Sequence, residues 1–145
     1  MEYNPKWIVI SNDDMYKIDD VSILKGQLEN IDPDKFYIVF PAGTHYHTVK
    51  SRFSCFMDFG IFSASYVKSL SCKLFDESFI NAYEDHDISL KFYLQHLNYA
   101  VINYRIGDYI GSSLGTGIPR ELRNIASLSY LNYKFEKEYY LNLYR

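Results

Sequence analysis

The sequence predicts an α/β domain with a mostly parallel sheet flanked by helices. Trp7–Ser11 contains a continuous apolar run, which is typical of a strand buried on both faces. Val21, Leu24 and Leu28 then recur at helical spacing, and a second apolar strand follows over 36–40. Because strands alternate with helical segments, the chain is expected to form crossover units around a parallel sheet.

The other elements follow from similar signals. Asp19-Asp20 is a typical helix start, with the helix predicted to run to Glu29. The apolar stretch 53–62 fits either a strand or a buried helix. Farther along, the sequence predicts a short helix capped at 63–65, a helix over 85–97, a strand over 99–104, a glycine-rich flexible loop over 106–119 and a helical tail over 120–145.

Composition limits the classes of function. The chain has 145 residues, enough for a single domain over 1–145, and its 15 Tyr suit grooves and interfaces. A net charge of -3 argues against nucleic acid as the main partner. The two cysteines, Cys55 and Cys72, form no disulfide framework.

With no signal peptide and no apolar run long enough to span a bilayer, we expect a cytoplasmic protein, with the cytoplasmic membrane face as an alternative.

Asn12, Asp13 and Asp14 directly follow the first strand. Ligands bind at the carboxyl ends of strands in open α/β sheets, and carboxylate oxygens there suit Mg²⁺ or Mn²⁺. The alternative is a turn in which these side chains bond to nearby backbone donors. Taken alone, the triplet favours the turn.

Glu84 and Asp85 open the helix predicted over 85–97. One interpretation is a general base held at the helix start. The other is a cap, in which a carboxylate accepts backbone hydrogen bonds and meets the positive end of the helix dipole. The two are compatible. Asp87 is expected only to add favourable charge to the first turn, and His86 to face solvent.

The segment 108–113 combines an acidic residue, glycine and hydroxyls, which suits contact with phosphates. Its spacing matches no phosphate-loop pattern, so a surface loop is the favoured alternative. His45 and His47 are expected to be exposed loop residues, because no third ligand lies close by in the sequence.

The order of the motifs is more specific than any one of them. A strand ending in Asn-Asp-Asp is followed by Asp-Phe-Gly-Ile-Phe at 58–62 and Leu-Phe-Asp-Glu-Ser-Phe at 74–79. Tyr-Glu-Asp-His-Asp-Ile-Ser-Leu-Lys follows at 83–91, and then a Gly-Ser-Ser loop. Over roughly 6–133, this order closely resembles the second half of family 2 glycosyltransferases, which have the GT-A fold.

The resemblance implies a GT-A-like (Rossmann-like) domain and an inverting, metal-dependent sugar transfer from a nucleotide-sugar donor to a glycan, lipid-linked or protein acceptor. Asp108 stands where the family often has a histidine, and Lys91 where arginine is common. Carried over by position, the implied roles are metal ligands (Mn²⁺ or Mg²⁺) for Asp14 and Asp108, nucleotide-sugar contacts for Asp13, Ser112 and Ser113, acceptor binding for Glu84 and the catalytic base for Asp85.

One departure from the family concerns the N-terminal half that normally holds the nucleotide base. Only six residues precede the first strand, so the sequence lacks that half. We expect either a fragment of a longer protein or a minimal form that needs a partner. The exposed sheet edge would then be covered by a second copy or another domain. The alternatives to a transferase are a noncatalytic GT-A-like interaction module and a metal-dependent phosphohydrolase.

Overall fold

The computed structural model describes residues 4–12, 15–41, 59–79, 83–108 and 118–140. The strands are β1 Trp7–Ser11, β2 Met15–Lys17, β3 Ile38–Pro41, β4 Phe59–Ser63, β5 Tyr99–Ile102 and β6 Ile106–Asp108. The helices are α1 Val21–Leu28, α2 Ala64–Ser69, α3 Glu84–Leu94 and α4 Ile118–Lys134, and a π-helical segment continues α4 over Phe135–Tyr140.

The main sheet is mixed, with the order β1-β4-β3-β5. β4 pairs antiparallel with β1 and with β3, and only β3 and β5 are parallel. The expectation of a mostly parallel sheet is therefore wrong for the described strands. The polar stretch 44–52 between β3 and β4 has no helical spacing, so the sequence offers no crossover helix there, whereas an antiparallel return needs none.

Helices pack on both faces of this sheet. Neighbouring residues on a strand point to opposite faces, and Ile38 and Val39 belong to two different core clusters. Ile38 packs with Phe62 and with apolar residues of α2 and α3. Val39 packs with Ile61 and with Leu24 of α1. The flanking helices that the sequence predicted are confirmed.

Local capping signals mark the helix starts correctly. The Asp20 carboxylate accepts a 2.8 Å hydrogen bond from the Ser22 N–H at the start of α1. The Ser63 hydroxyl accepts one from the Tyr66 N–H at the start of α2. The end of β4 and the start of α2 therefore meet at Ser63, within the cap predicted at 63–65. The sequence left the stretch 53–62 open between a strand and a buried helix, and its described part, 59–62, is a strand.

A second, two-stranded ribbon joins β2 to β6. Residues 106–108 were expected to lie in a flexible loop, and this expectation is wrong, because they form a strand. Arg105 fixes its start by donating from Nε and Nη2 to Asp19 Oδ1 at 2.8 and 2.6 Å. Gly107 lies opposite Tyr16, and a Cβ at Gly107 would approach the tyrosine ring to 2.5 Å. The ribbon therefore favours glycine at this position.

β1 and β5 are the two end strands of the main sheet in the part of the chain that the structure describes. Val9 of β1 is exposed, as are Tyr99 and Val101 of β5. Among the described helices, none combines the length and the apolar character needed to cross a membrane.

Candidate functional site

A cavity of about 290 Å³ lies where the end of β1, the segment 75–79 and the start of α3 meet. We call it the acidic cavity, because three of its lining residues carry carboxylates. Residues separated widely in sequence therefore share one pocket. Its lining residues are Ile10, Asn12, Phe75, Asp76, Glu77, Phe79 and Glu84.

Glu84 contributes a carboxylate oxygen, Oε2, that is buried and has no hydrogen-bond partner among the described residues. Leaving a buried acceptor unsatisfied costs about 1–3 kcal/mol. Such a group in a cavity wall is suited to accept a hydrogen bond from a ligand hydroxyl or to approach a cation. The sequence-based choice of Glu84 as an acceptor-binding residue is compatible with this position.

Asp85, the predicted base, lies one residue farther along α3, and its side chain is 23% exposed. Its Oδ1 accepts a hydrogen bond from the His86 N–H at 2.8 Å and lies 2.8 Å from His86 Nδ1. The hydrogen bond to Asp85 raises the pKa of His86; burial opposes the rise, and the charges of Asp85 and Glu84 add to it.

The pairing of His86 with Asp85 is a contact that sequence reasoning missed. His86 was expected to face solvent, and its side chain is 40% exposed, but its ring also contacts the preceding carboxylate. Side chains at adjacent helix positions do not normally face each other, so helical spacing gave no signal for this contact. It forms in the first turn of α3, where backbone N–H groups have no acceptor within the helix and can bond to side chains.

Asp76, which lines the acidic cavity, also belongs to an ion cluster, which consists of Asp76, Asp87, Lys91, Tyr130 and Lys134. Lys134 Nζ donates to Asp76 Oδ2 at 2.5 Å and to Asp87 Oδ2 at 3.0 Å. Lys91 Nζ lies 2.8 Å from Asp87 Oδ2, and the Tyr130 hydroxyl donates to Asp76 Oδ2 at 3.0 Å. The cluster connects the segment 75–79, α3 and α4.

Burial is nearly complete at the centre of the cluster. The side chains of Asp87 and Lys134 are 0% and 6% exposed. Burial lowers the pKa of Lys134, but its hydrogen bonds to Asp76 and Asp87 outweigh that effect and raise the pKa. Burial likewise raises the pKa of Asp76, while bonds from Lys134, Ser78 and Tyr130 outweigh it and hold that pKa well below its usual range.

The burial of Asp87 and its ion pair with Lys134 were not predicted from the sequence. Asp87 was expected only to add charge to the first helical turn, yet its carboxylate is fully buried in ion pairs. The contact with Lys91 was readable from the i, i+4 spacing. The contact with Lys134 spans 47 positions and has no local sequence signal.

The low pKa of Asp76 predicts acid sensitivity. A carboxyl group whose pKa is lower in the folded state stabilises the fold above its unfolded pKa, and that contribution disappears as pH falls through the folded value. We therefore expect the urea midpoint to fall steadily below about pH 4. Asp76→Asn removes this titration, so its midpoint should depend less on pH in the same range. Equal pH dependence in the two proteins would contradict the assigned role of Asp76.

The structure describes only some of the predicted donor-side residues. Asp13, Asp14, Ser112 and Ser113 lie outside the described residues, as do His45 and His47. Asp108 lies at the end of β6, where its backbone pairs with Met15, the residue after Asp14 in the sequence. In the part of the chain that the structure describes, no three His, Cys, Asp or Glu side chains form a group that could hold a metal ion.

A larger cavity of about 640 Å³ adjoins the acidic cavity and shares Ile10, Phe75, Asp76 and Glu77 with it. Lys73, Lys91 and Lys134 line its other parts. Together the two cavities offer carboxylates beside aromatic surface on one side and lysines on the other. This arrangement suits a polar ligand with hydroxyl groups.

The acidic cavity therefore holds the buried, unsatisfied carboxylate oxygen of Glu84. The Asp85–His86 pair follows Glu84 in α3 but lines neither of the two cavities, and the ion cluster connects this helix to α4. The cavity is suited to bind hydroxyl groups, and the Asp85 carboxylate next to Glu84 in the chain is a group of the kind that accepts protons. Comparisons of the chain with models of protein families, with curated proteins and with solved structures found no match.

Proposed function

We propose that the protein is a metal-dependent, inverting glycosyltransferase that moves a sugar from a nucleotide-sugar donor to an acceptor hydroxyl. One observation carries the proposal: Asn12, at the end of β1, and Glu84, at the start of α3, line the same cavity. Sugar transfer requires donor-binding and acceptor-binding groups to share a pocket. The motif order that resembles family 2 glycosyltransferases assigns those two roles to these two segments.

The acceptor side is the better described part of the proposed site. Asp85 would take the proton of an acceptor hydroxyl as that oxygen attacks the anomeric carbon. Glu84 Oε2 has no partner among the described residues, which supports a role in accepting a hydrogen bond from the acceptor. Phe75 and Phe79 add aromatic surface to the same cavity, which suits the apolar face of a sugar ring.

The donor side would be formed at the β2–β6 ribbon. The pairing of Met15 with Asp108 supports a shared role for Asp14 and Asp108, because Asp14 directly precedes Met15 in the sequence and Asp108 is the strand partner of Met15. Two carboxylates suit Mn²⁺ or Mg²⁺. When bound, such an ion supplies positive charge that offsets the charge of the departing diphosphate. Asp13, Ser112 and Ser113 are the remaining proposed contacts to the nucleotide sugar.

The reaction proposed for these residues is a single displacement. The acceptor oxygen forms a bond to the anomeric carbon while the bond from that carbon to the diphosphate oxygen breaks. Asp85 holds the acceptor proton, and the diphosphate leaves with the bonding electrons. Attack from the face opposite the leaving group inverts the anomeric configuration.

Calorimetry with UDP and GDP, with and without Mn²⁺, tests the proposal. We expect at least one nucleotide to bind about tenfold more tightly when Mn²⁺ is present, a difference of about 1.4 kcal/mol. Asp14→Asn and Asp108→Asn should remove this metal dependence. Asp32→Asn, in the surface turn after α1, is the matched control and should retain it.

Other outcomes would favour the alternatives. Nucleotide affinity that does not depend on metal, or no nucleotide binding at all, would overturn the transferase and favour a noncatalytic interaction module. Release of inorganic phosphate from a nucleotide in the absence of an acceptor would favour a metal-dependent phosphohydrolase.

A further inference from the structure

The contact between His86 and Asp85 has geometry that goes beyond helix capping. Two nitrogens of His86, the backbone N and Nδ1, lie 2.8 Å from the same Asp85 oxygen, Oδ1. The backbone N–H donates to it, and Nδ1 donates when it carries a proton. The Tyr83 ring packs against the imidazole with 4.9 Å between ring centroids. His86 therefore restrains the carboxylate from two directions, and Tyr83 restrains the imidazole.

We propose that His86 is a positioning residue, which holds the Asp85 carboxylate in the orientation needed to accept the proton of an acceptor hydroxyl. This inference rests on the proposed function and deepens it. Two hydrogen bonds to one oxygen fix the rotation of the carboxylate. A base that is held in place does not need to be ordered when the substrate binds.

The protonation state of His86 decides how strongly Asp85 acts as a base. A neutral imidazole with its proton on Nδ1 donates to Oδ1 without adding charge. An imidazolium at the same place stabilises the ionised carboxylate and makes Asp85 a weaker base. Among the described residues, Asp85 and Glu84 act on the ring through their charges and Tyr83 packs against it, and the two carboxylates favour the imidazolium. Turnover should therefore rise with pH as His86 loses its proton.

The first test does not require activity. The imidazole of His86 is titrated by NMR in the wild-type protein and in Asp85→Asn. The pKa of His86 should fall in the variant, because an amide does not attract the imidazolium as a carboxylate does. His96, exposed in the turn after α3, provides an imidazole signal outside the Asp85 contact that helps to assign the His86 signal. If the pKa of His86 is the same in the two proteins, the proposal is overturned.

The second test compares pH profiles of kcat, measured as nucleoside diphosphate release from a panel of UDP-sugars and GDP-sugars with mixed saccharide acceptors. His86→Ala removes the side-chain donor and should lower kcat roughly tenfold, the size expected from one lost charge-assisted hydrogen bond. The acceptor KM should change little. His86→Asn retains a donor near the position of Nδ1, so it should restore kcat but lose the acid limb due to His86.

His96→Asn is the matched control, because asparagine tolerates the positive φ of 52° at this position. It should retain the wild-type profile. A wild-type profile in His86→Ala would overturn the positioning role. If the wild-type protein transfers no sugar but the NMR shift occurs, the Asp85–His86 pair is established, while the proposed function and the role of His86 in it are both overturned.

Discussion

Replacing Asp87 by alanine is expected to lower the free energy of unfolding by about 3–5 kcal/mol, the cost of breaking a buried ion pair from one side. Its carboxylate is 0% exposed and lies within 3.0 Å of both Lys91 Nζ and Lys134 Nζ. Without it, Lys134 remains buried with Asp76 as its one remaining carboxylate among the described residues. A typical domain has only about 5–15 kcal/mol of stability, so the loss should be large enough to measure directly by urea unfolding.

Asp32→Ala is the matched control for this prediction. Asp32 also pairs with a lysine, Lys35, but at 3.7 Å and with both side chains largely exposed. The exposed pair contributes about 0–1 kcal/mol, and the hydrogen bond that Asp32 Oδ1 accepts from the Asp34 N–H about 1 kcal/mol, so this variant should lose clearly less stability than Asp87→Ala. Similar losses in Asp32→Ala and Asp87→Ala would show that the cluster has no special role in stability.

A double variant separates charge from packing. Asp87→Ala with Lys134→Met removes both buried charges, and the methionine fills part of the space of the lysine stem. We expect it to be more stable than Asp87→Ala alone, because no unpaired ammonium is left in the interior. If the double variant is less stable than the single variant, packing of the Lys134 stem contributes more than its charge.

Helix starts could be predicted from sequence because their signals are local. Asp20 and Ser63 satisfy N–H groups two and three residues away, so residue type and position were sufficient. The directions of the strands could not be read in the same way. β4 lies between β1 and β3. The position and direction of β4 depend on contacts between distant segments rather than on the apolar stretch itself.

In the candidate site, too, residues of a local motif could be predicted from the sequence, whereas contacts between distant segments could not. Glu84 and Asp85 were chosen from one local motif, and the structure places Glu84 at the cavity and Asp85 next to it in α3. Lys134 was not chosen, although it bonds to two carboxylates, because nothing near it in the sequence distinguishes it from a solvent-facing lysine of an amphipathic helix. Long-range ion pairs have no sequence period, so only the fold reveals them.

Replacing Asp85 by asparagine is expected to reduce sugar transfer by about 100- to 10,000-fold, the range typical of losing a general base. An amide does not accept the acceptor proton at neutral pH. The fold should be retained, because the asparagine carbonyl oxygen can still accept the His86 N–H that Asp85 Oδ1 accepts now. Binding of nucleotide in the presence of Mn²⁺ should be nearly unchanged, since Asp85 is assigned to the acceptor side.

Two further variants show whether the effect is specific to the base. Glu84→Gln retains a carbonyl oxygen at the cavity but removes the charge, so it should act mainly on the acceptor KM. Asp32→Asn should leave transfer unchanged, because Asp32 lies in the surface turn after α1. Full turnover in Asp85→Asn would mean that another group takes the proton. If Asp85→Asn retained sugar transfer and Glu84→Gln lost it, the base would be Glu84, whose buried Oε2 has no hydrogen-bond partner among the described residues.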